Sequence, residues 1–311
     1  MRNPTPDSPL VASFKSMDTE EFLDIHFYRP LGYAWAIAFR KWGVHPNSVT
    51  LAAILLGIAA GICFYFRDLR VNIPGMLLLV WANTYDSADG QLARMTRRTS
   101  PLGRMLDGFC GQAWFVTIYA AICLRLTPEW GLWIWLLGAI TGYGHSRQAA
   151  LADYYRNLHL LFLKGKAGSE LSDSATLRIE ARGLSRKENP LLWLGNLLYL
   201  NYTRGQEKHT PRLQALMEVL HSKYNGQAPA WFRESFCRES LPLMKYANIL
   251  SFNTRSIVLF LALLVDLPWL YFVFELTLMN LLLVYMVAKH EHFCTTFTEQ
   301  LNNQPKETCS T

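Results

Sequence analysis

The sequence predicts an all-α integral membrane protein: six transmembrane helices, both termini on the cytoplasmic side, and a cytoplasmic helical insert between the fourth and fifth spans. Three observations predict it. Of 311 residues, 51% are hydrophobic and 17% charged, where a soluble domain carries about 25% charged residues. Mean hydropathy is nonetheless only +0.09, so apolar residues must be gathered in blocks that alternate with polar ones. The basic residues, finally, collect on one side of those blocks. This composition excludes a disordered or fibrous chain and argues against a water-soluble globule. The net charge of +6 comes without a nucleic-acid motif, so it reads as membrane orientation and no nucleic-acid partner is expected.

Residues 1–45 predict an amphipathic segment lying in the interface. Within 9–41, Phe14, Phe22, Leu23, Phe27 and Tyr28, then Tyr33, Ala34, Trp35, Ile37 and Phe39, supply the apolar side. The first twenty residues have no apolar h-region, and Asp7, Asp18, Glu20 and Glu21 lie close by; they do not read as a cleaved signal peptide. Residues 46–152 hold the first four spans. Val49 to Phe66 is eighteen residues without a charge, long enough for a ~30 Å hydrocarbon core. Val71 to Tyr85 stops at Asp86, Gly108 to Leu124 follows, and Trp130 to Gly144 runs into His145 and Arg147.

The insert, residues 153–245, has fourteen basic and nine acidic residues. Leu191–Leu192–Trp193–Leu194, and Leu213, Leu216, Met217 and Leu220 at helical spacing, predict short helices. They lie on the cytoplasmic leaflet or form a small soluble cap; both readings stay open. Residues 246–289 hold the last two spans, Ser256 to Val265 (begun near Tyr246) and Leu267 to Ala288, and 290–311 a cytoplasmic tail frayed from Asn302. With the N-terminus inside, the outer loops hold three basic residues, Arg67, Arg70 and Arg125. The inner segments hold Arg29, Arg40, Lys41, Arg94, Arg97, Arg98, Arg104, Lys289 and the fourteen of the insert, as the positive-inside rule requires. The six cysteines, Cys63, Cys110, Cys123, Cys237, Cys294 and Cys309, make no CxxC or Cys/His pattern, so neither a disulfide framework nor a zinc site is expected.

Asp86, Asp89 and Asp107 stand at the cytoplasmic ends of the second and third spans, where a carboxylate costs at least ~2.5 kcal/mol on insertion scales and marks function by default. On a helix Asp86, Asp89 and Ala93 share a face, and Gly103 and Asp107 share one on the next element. Two antiparallel helix ends thus bring three carboxylates together. A hard divalent cation, Mg²⁺ or Mn²⁺, relieves their repulsion and in turn favours phosphates. Gly90, Ala93 and Gly103 allow close approach, and Arg94 offers donors to a phosphate.

Asp86-Ser-Ala-Asp89-Gly90-Gln-Leu-Ala93-Arg94, then Gly103 and Asp107, resembles the CDP-alcohol phosphotransferase signature D-x2-D-G-x2-A-R-x8-G-x3-D-x3-D. His45-Pro46-Asn47-Ser48-Val49-Thr50 is similar to the P-N-x-[VIL]-T that opens these proteins. The resemblance covers residues 43–150 well and the last two spans by count alone. It implies a membrane transferase of phospholipid biosynthesis: a phosphatidyl or phospho-alcohol group passes from a CDP-linked donor, such as CDP-diacylglycerol, to an acceptor hydroxyl, releasing CMP. Asp86, Asp89 and Asp107 are then metal ligands, Gly90, Ala93, Arg94 and Gly103 cradle the nucleotide and pyrophosphate, and a homodimer is expected. The active site would face the cytoplasm, at the inner membrane in a bacterium.

The pattern departs at Gly111, where the family has its fourth Asp, a metal ligand and the base that deprotonates the acceptor. Neighbouring Gln112 has no basic group. Either another group serves, His145 being the nearest by type; or the protein is a non-catalytic CDP-lipid-binding member; or the acceptor needs no strong base; a sphingolipid head-group transferase with an altered general base is a further alternative. Arg147 and Arg255 are further phosphate-binding candidates, with positive-inside flanking as the alternative; Asn253 beside Arg255 shares those odds. Glu275 within the last span reads as a structural partner of Asn280 or of another helix, and His290–Glu291–His292 does not share a helix face, against a metal site there.

Overall fold

The computed structural model describes residues 16–99, 101–183 and 190–304, and among them every regular element is helical. Residues 9–15 of the predicted lead-in and 305–311 of the tail lie outside the described residues, as do the side chains of Arg104 and Leu191. The chain forms two compact units: the described residues up to Arg147 with Phe252–Leu278, and Gln148–Ser251 with the described residues from Met279 onward.

In the first unit a π-turn, Asp24–Tyr28, leads into α1 (Arg29–Lys41), then α2 (Pro46–Cys63), α3 (Leu69–Thr96), α4 (Pro101–Trp130) and the first part of α5 (Trp133–Lys164); α10 (Phe252–Leu264) and α11 (Trp269–Phe274) complete it. His45 caps α2, its Nδ1 accepting from the Asn47 amide, with Pro46 in the first turn, where its missing N–H costs nothing. Asp68 caps α3 in the same way through Arg70 N. Helix α2 packs against α3 and α4 through small residues. A Cβ on Gly57 would lie 2.0 Å from Trp114 Cδ1, and the Trp114 indole donates to Ala53 O at 3.0 Å. This is close helix packing bought by glycine spacing, Gly57 and Gly61 being one turn apart. Arg125, expected in an outer turn, is instead buried within α4. It donates to Phe64 O, Asn72 Oδ1 and Asp266 Oδ1 at 3.1, 3.0 and 2.6 Å.

Four stretches among the described residues are long and apolar enough to cross a membrane: Pro46–Cys63, Leu106–Trp130, Ala230–Leu264 and Trp269–Asn303. They overlap the predicted first, fifth and sixth spans and contain the third. The predicted second falls within α3 and the fourth, apart from its first three residues, within α5, of 28 and 32 residues, whose apolar stretches are diluted by residues such as Asn72, Asp86, Asp89, His145 and Arg147.

The second unit holds the rest of α5, α6 (Ser174–Arg182), α7 (Pro190–Lys208), α8 (Pro211–Tyr224), α9 (Ala230–Ile249) and α12 (Asn280–Asn303). The stripe Leu213, Leu216 and Leu220 is buried as its spacing predicts. Helix α12 runs on through the predicted tail to Asn303, because Cys294, Phe297 and Leu301 form a buried face that packs on α8 and α9. Glu291 accepts from the Arg212 and Leu213 amides at 2.7 and 3.2 Å, satisfying the first turn of α8. His290 stacks on Tyr155 at 3.8 Å while His292 is exposed, so the two histidines face different surroundings.

Candidate metal and phosphate centre

Helix α3 presents Asp86 and Asp89 one turn apart, and α4 presents Asp107. One carboxylate oxygen from each comes within 4.8 Å of the others, close to the ~4.2 Å across a Mg²⁺ coordination sphere. Asp86 is half-buried, Asp89 buried and Asp107 exposed, so the cluster opens on its α4 side. Asp86 hydrogen-bonds the Cys110 thiol, and Asp89 the Thr50 hydroxyl and the Gly90 amide. Asp86 Oδ1 and Asp89 Oδ2 are nevertheless buried without a hydrogen-bond partner. Orphaned carboxylate oxygens are costly, and two of them beside a third carboxylate fit a divalent cation, whose ligands are anionic oxygens.

The motif's small residues neighbour the aspartates along α3 and α4. Gly90 lies under the Arg94 guanidinium, whose Nη1 would be 3.4 Å from a Cβ on Gly90; Ala93 and Gly103 are half-buried. Gly111, on α4 one turn beyond Asp107, faces open space: a Cβ there meets nothing within 4 Å.

The remaining candidates contact other groups. His145 is buried; its Nδ1 lies 2.8 Å from Tyr119 OH and 3.1 Å from Arg255 Nη1. A guanidinium only donates, so this Nδ1 is an acceptor and the ring proton falls on Nε2. Arg255, 1% exposed, is ion-paired with Glu275. Glu275 thus finds its partner on another helix, while Asn280 accepts from Gln148 at 2.9 Å. Arg147 lies over the Tyr143 ring, 5.1 Å from its centroid.

Sequence reasoning did not single out Arg29. It forks onto Glu20 through two 3.0 Å hydrogen bonds and acts electrostatically on Asp86, and its carbonyl accepts from Gln91 of α3 at 3.2 Å. In the sequence it is one more inner basic residue; only the return of the N-terminal segment onto α3 brings it here.

Residues 43–157 match the family model described as CDP-alcohol phosphatidyltransferase. The chain is 26% identical over 152 residues to choline/ethanolaminephosphotransferase 1 of Arabidopsis thaliana, covering 45% of this chain and 37% of that protein. It is 29% identical over 97 residues, 31% of this chain and 22% of the relative, to a bifunctional IPC transferase and DIPP synthase of Aquifex aeolicus. The matches thus span between about a fifth and little more than a third of these relatives' length. No solved structure matches the chain. Residues 43–157, which hold the three aspartates, Arg94 and Gly111, are thus similar to the CDP-alcohol phosphatidyltransferase family.

Proposed function

We propose that this protein is a membrane-embedded CDP-alcohol phosphotransferase, whose donor is a CDP-linked lipid or alcohol and whose acceptor is an alcohol in or at the membrane. The supporting observation is the meeting of Asp86, Asp89 and Asp107, with orphaned oxygens on the first two, inside the family-matched segment. In this reading the three carboxylates hold Mg²⁺ or Mn²⁺, which when bound neutralises the pyrophosphate's charge and polarises its phosphorus. Gly90, Ala93 and Gly103 admit the nucleotide and pyrophosphate closely, and Arg94 donates to a phosphate oxygen. The acceptor oxygen forms a bond to the β-phosphorus, the bond from that phosphorus to the bridging oxygen breaks, and CMP leaves with the bridging oxygen; the acceptor's proton passes to a base. The chain's contribution is positioning and charge complementarity. Six crossings with both termini cytoplasmic put the centre at the inner membrane surface, where a soluble nucleotide and a lipid can meet.

CMP release by the purified protein with Mn²⁺ or Mg²⁺, over a panel of CDP-linked donors and alcohols, tests this. Asp89→Asn is expected to abolish metal-dependent cytidine-nucleotide binding; binding that keeps its metal dependence in this variant refutes the carboxylate assignment. Gly111, which brings no base to the centre, favours a second reading: a CDP-lipid-binding protein without turnover. Nucleotide binding with no CMP release across the whole panel would select it.

A further inference from the structure

The start of α10 carries a polar cluster that the transfer reading leaves without a role. Asn253 is 5% exposed, and its Nδ2 donates to Glu21 Oε2 at 2.8 Å and to Asp24 Oδ1 at 3.0 Å. The Oδ1 of the same amide is buried with no hydrogen-bond partner. Oxygen and nitrogen of an amide share one carbon, so this acceptor lies at the carboxylates; a flipped amide would set oxygen against both of them, which fixes the orientation. Tyr28 and Phe252 flank the cluster, ring edge to face at 6.4 Å. Burial, with the charge of Asp24 and Glu21 beside it and against the pull of the Asn83 amide, pushes the Tyr28 phenol up to about 12. That Asn83 amide hydrogen-bonds Tyr28 and precedes Asp86 on one face of α3 by three residues, about 4.5 Å along the axis. The cluster is thereby linked, through Tyr28 and Asn83, to the stretch of α3 that carries Asp86.

We propose that Glu21, Asp24 and Asn253 form a subsite for a primary ammonium group on the alcohol that the aspartate centre handles, carried either on the CDP donor or by the free acceptor. This rests on the transfer reading. Two carboxylates favour a cation, and the orphaned Oδ1 needs a hydrogen to accept. A trimethylammonium group has the charge and no N–H; a neutral hydroxyl has the hydrogen and no charge; a primary ammonium supplies both. None of the three residues lies within the family-matched 43–157.

Calorimetric titration of the full chain in lipid nanodiscs with Mn²⁺ tests it in two arms. The donor arm compares CDP-ethanolamine with CDP-choline. The acceptor arm compares ethanolamine, choline and ethylene glycol on protein saturated with CDP-diacylglycerol. In one arm the primary ammonium ligand should bind at least about tenfold more tightly than its trimethyl counterpart, the worth of one charge-assisted hydrogen bond. Glu21→Gln combined with Asp24→Asn should remove that preference and leave the Mn²⁺-dependent affinity for CMP unchanged. Should the double variant lose CMP binding, Glu21→Gln alone is read in the same way. Equal affinities in both arms, or a preference that persists in the charge-neutral variant, overturn the subsite. CMP binding by the wild type that ignores Mn²⁺ instead overturns the transfer reading, so the two failures are distinguishable.

Discussion

Gly111 is where residue-level chemistry and family pattern part, and its surroundings make the difference testable. Space for a Cβ is open there, and α4 gives the position no unusual backbone dihedral, so Gly111→Asp is sterically free and should raise helix propensity slightly over glycine. We expect this variant to fold as the wild type does and to increase CMP release by ~10²–10⁴-fold, the usual value of a positioned general base. An unchanged rate, measured beside unchanged nucleotide affinity, means that another group takes the acceptor's proton. His145 enters that contest at a disadvantage: its Nε2 already carries the ring proton, and the lone pair of Nδ1 is engaged by Tyr119 and Arg255. The Asp-Asp-Asp constellation was legible from spacing alone. Arg29, Thr50 and Cys110 were not, because their contacts with the aspartates come from other elements or from a neighbouring turn whose facing the motif does not specify.

Helix packing in the first unit depends on the absence of side chains as much as on their presence. Trp114 occupies the groove that Gly57 leaves on α2, and its indole hydrogen-bonds Ala53 O. Gly57→Ala places a methyl group where the ring already is, so the ring or the helix must move. A loss of about 1–3 kcal/mol is expected from overpacking, read as a lower midpoint of thermal unfolding in detergent; an unchanged midpoint would mean that α2 and α4 repack freely. The apolar blocks told where α2 and the later part of α4 lie, since an eighteen-residue uncharged run has few alternatives in a bilayer. They did not tell that α5 continues without a break past His145 to Lys164: hydropathy marks where the greasy stretch ends, while backbone hydrogen bonds carry a helix on through polar residues.

At the scale of the molecule, Arg125 joins parts far apart in sequence. From α4 it reaches the end of α2, the first turn of α3 and the turn before α11, through Phe64, Asn72 and Asp266, while Arg67 donates to its carbonyl at 3.0 Å. Arg125→Leu leaves the Phe64 carbonyl and Asn72 Oδ1 without that donor, at a cost of ~1–3 kcal/mol for each buried group so orphaned. The unfolding midpoint should fall, and Asp266→Ala, which removes a more exposed partner, should cost less; equal losses would show that the ion pair rather than the backbone contact carries the stability. Division into two units also belongs to this scale. The insert was visible as a polar stretch between apolar blocks, yet the inclusion of α12 in its unit was not, because a C-terminal segment of mixed polarity acquires a core only when α8 and α9 supply the matching face.

By itself, then, the sequence determined a helical membrane protein, the places of its apolar blocks and the three aspartates of its centre, because those properties are local: run length, helical periodicity and fixed motif spacing. Tertiary structure decided the rest. Arg255 went to Glu275, and Asn253 to Glu21 and Asp24, over sequence separations of 20, 232 and 229 residues. The choice among many chemically equivalent partners is made by which helices pack together, since a buried charge or amide takes whichever complementary group the packing brings within hydrogen-bond reach.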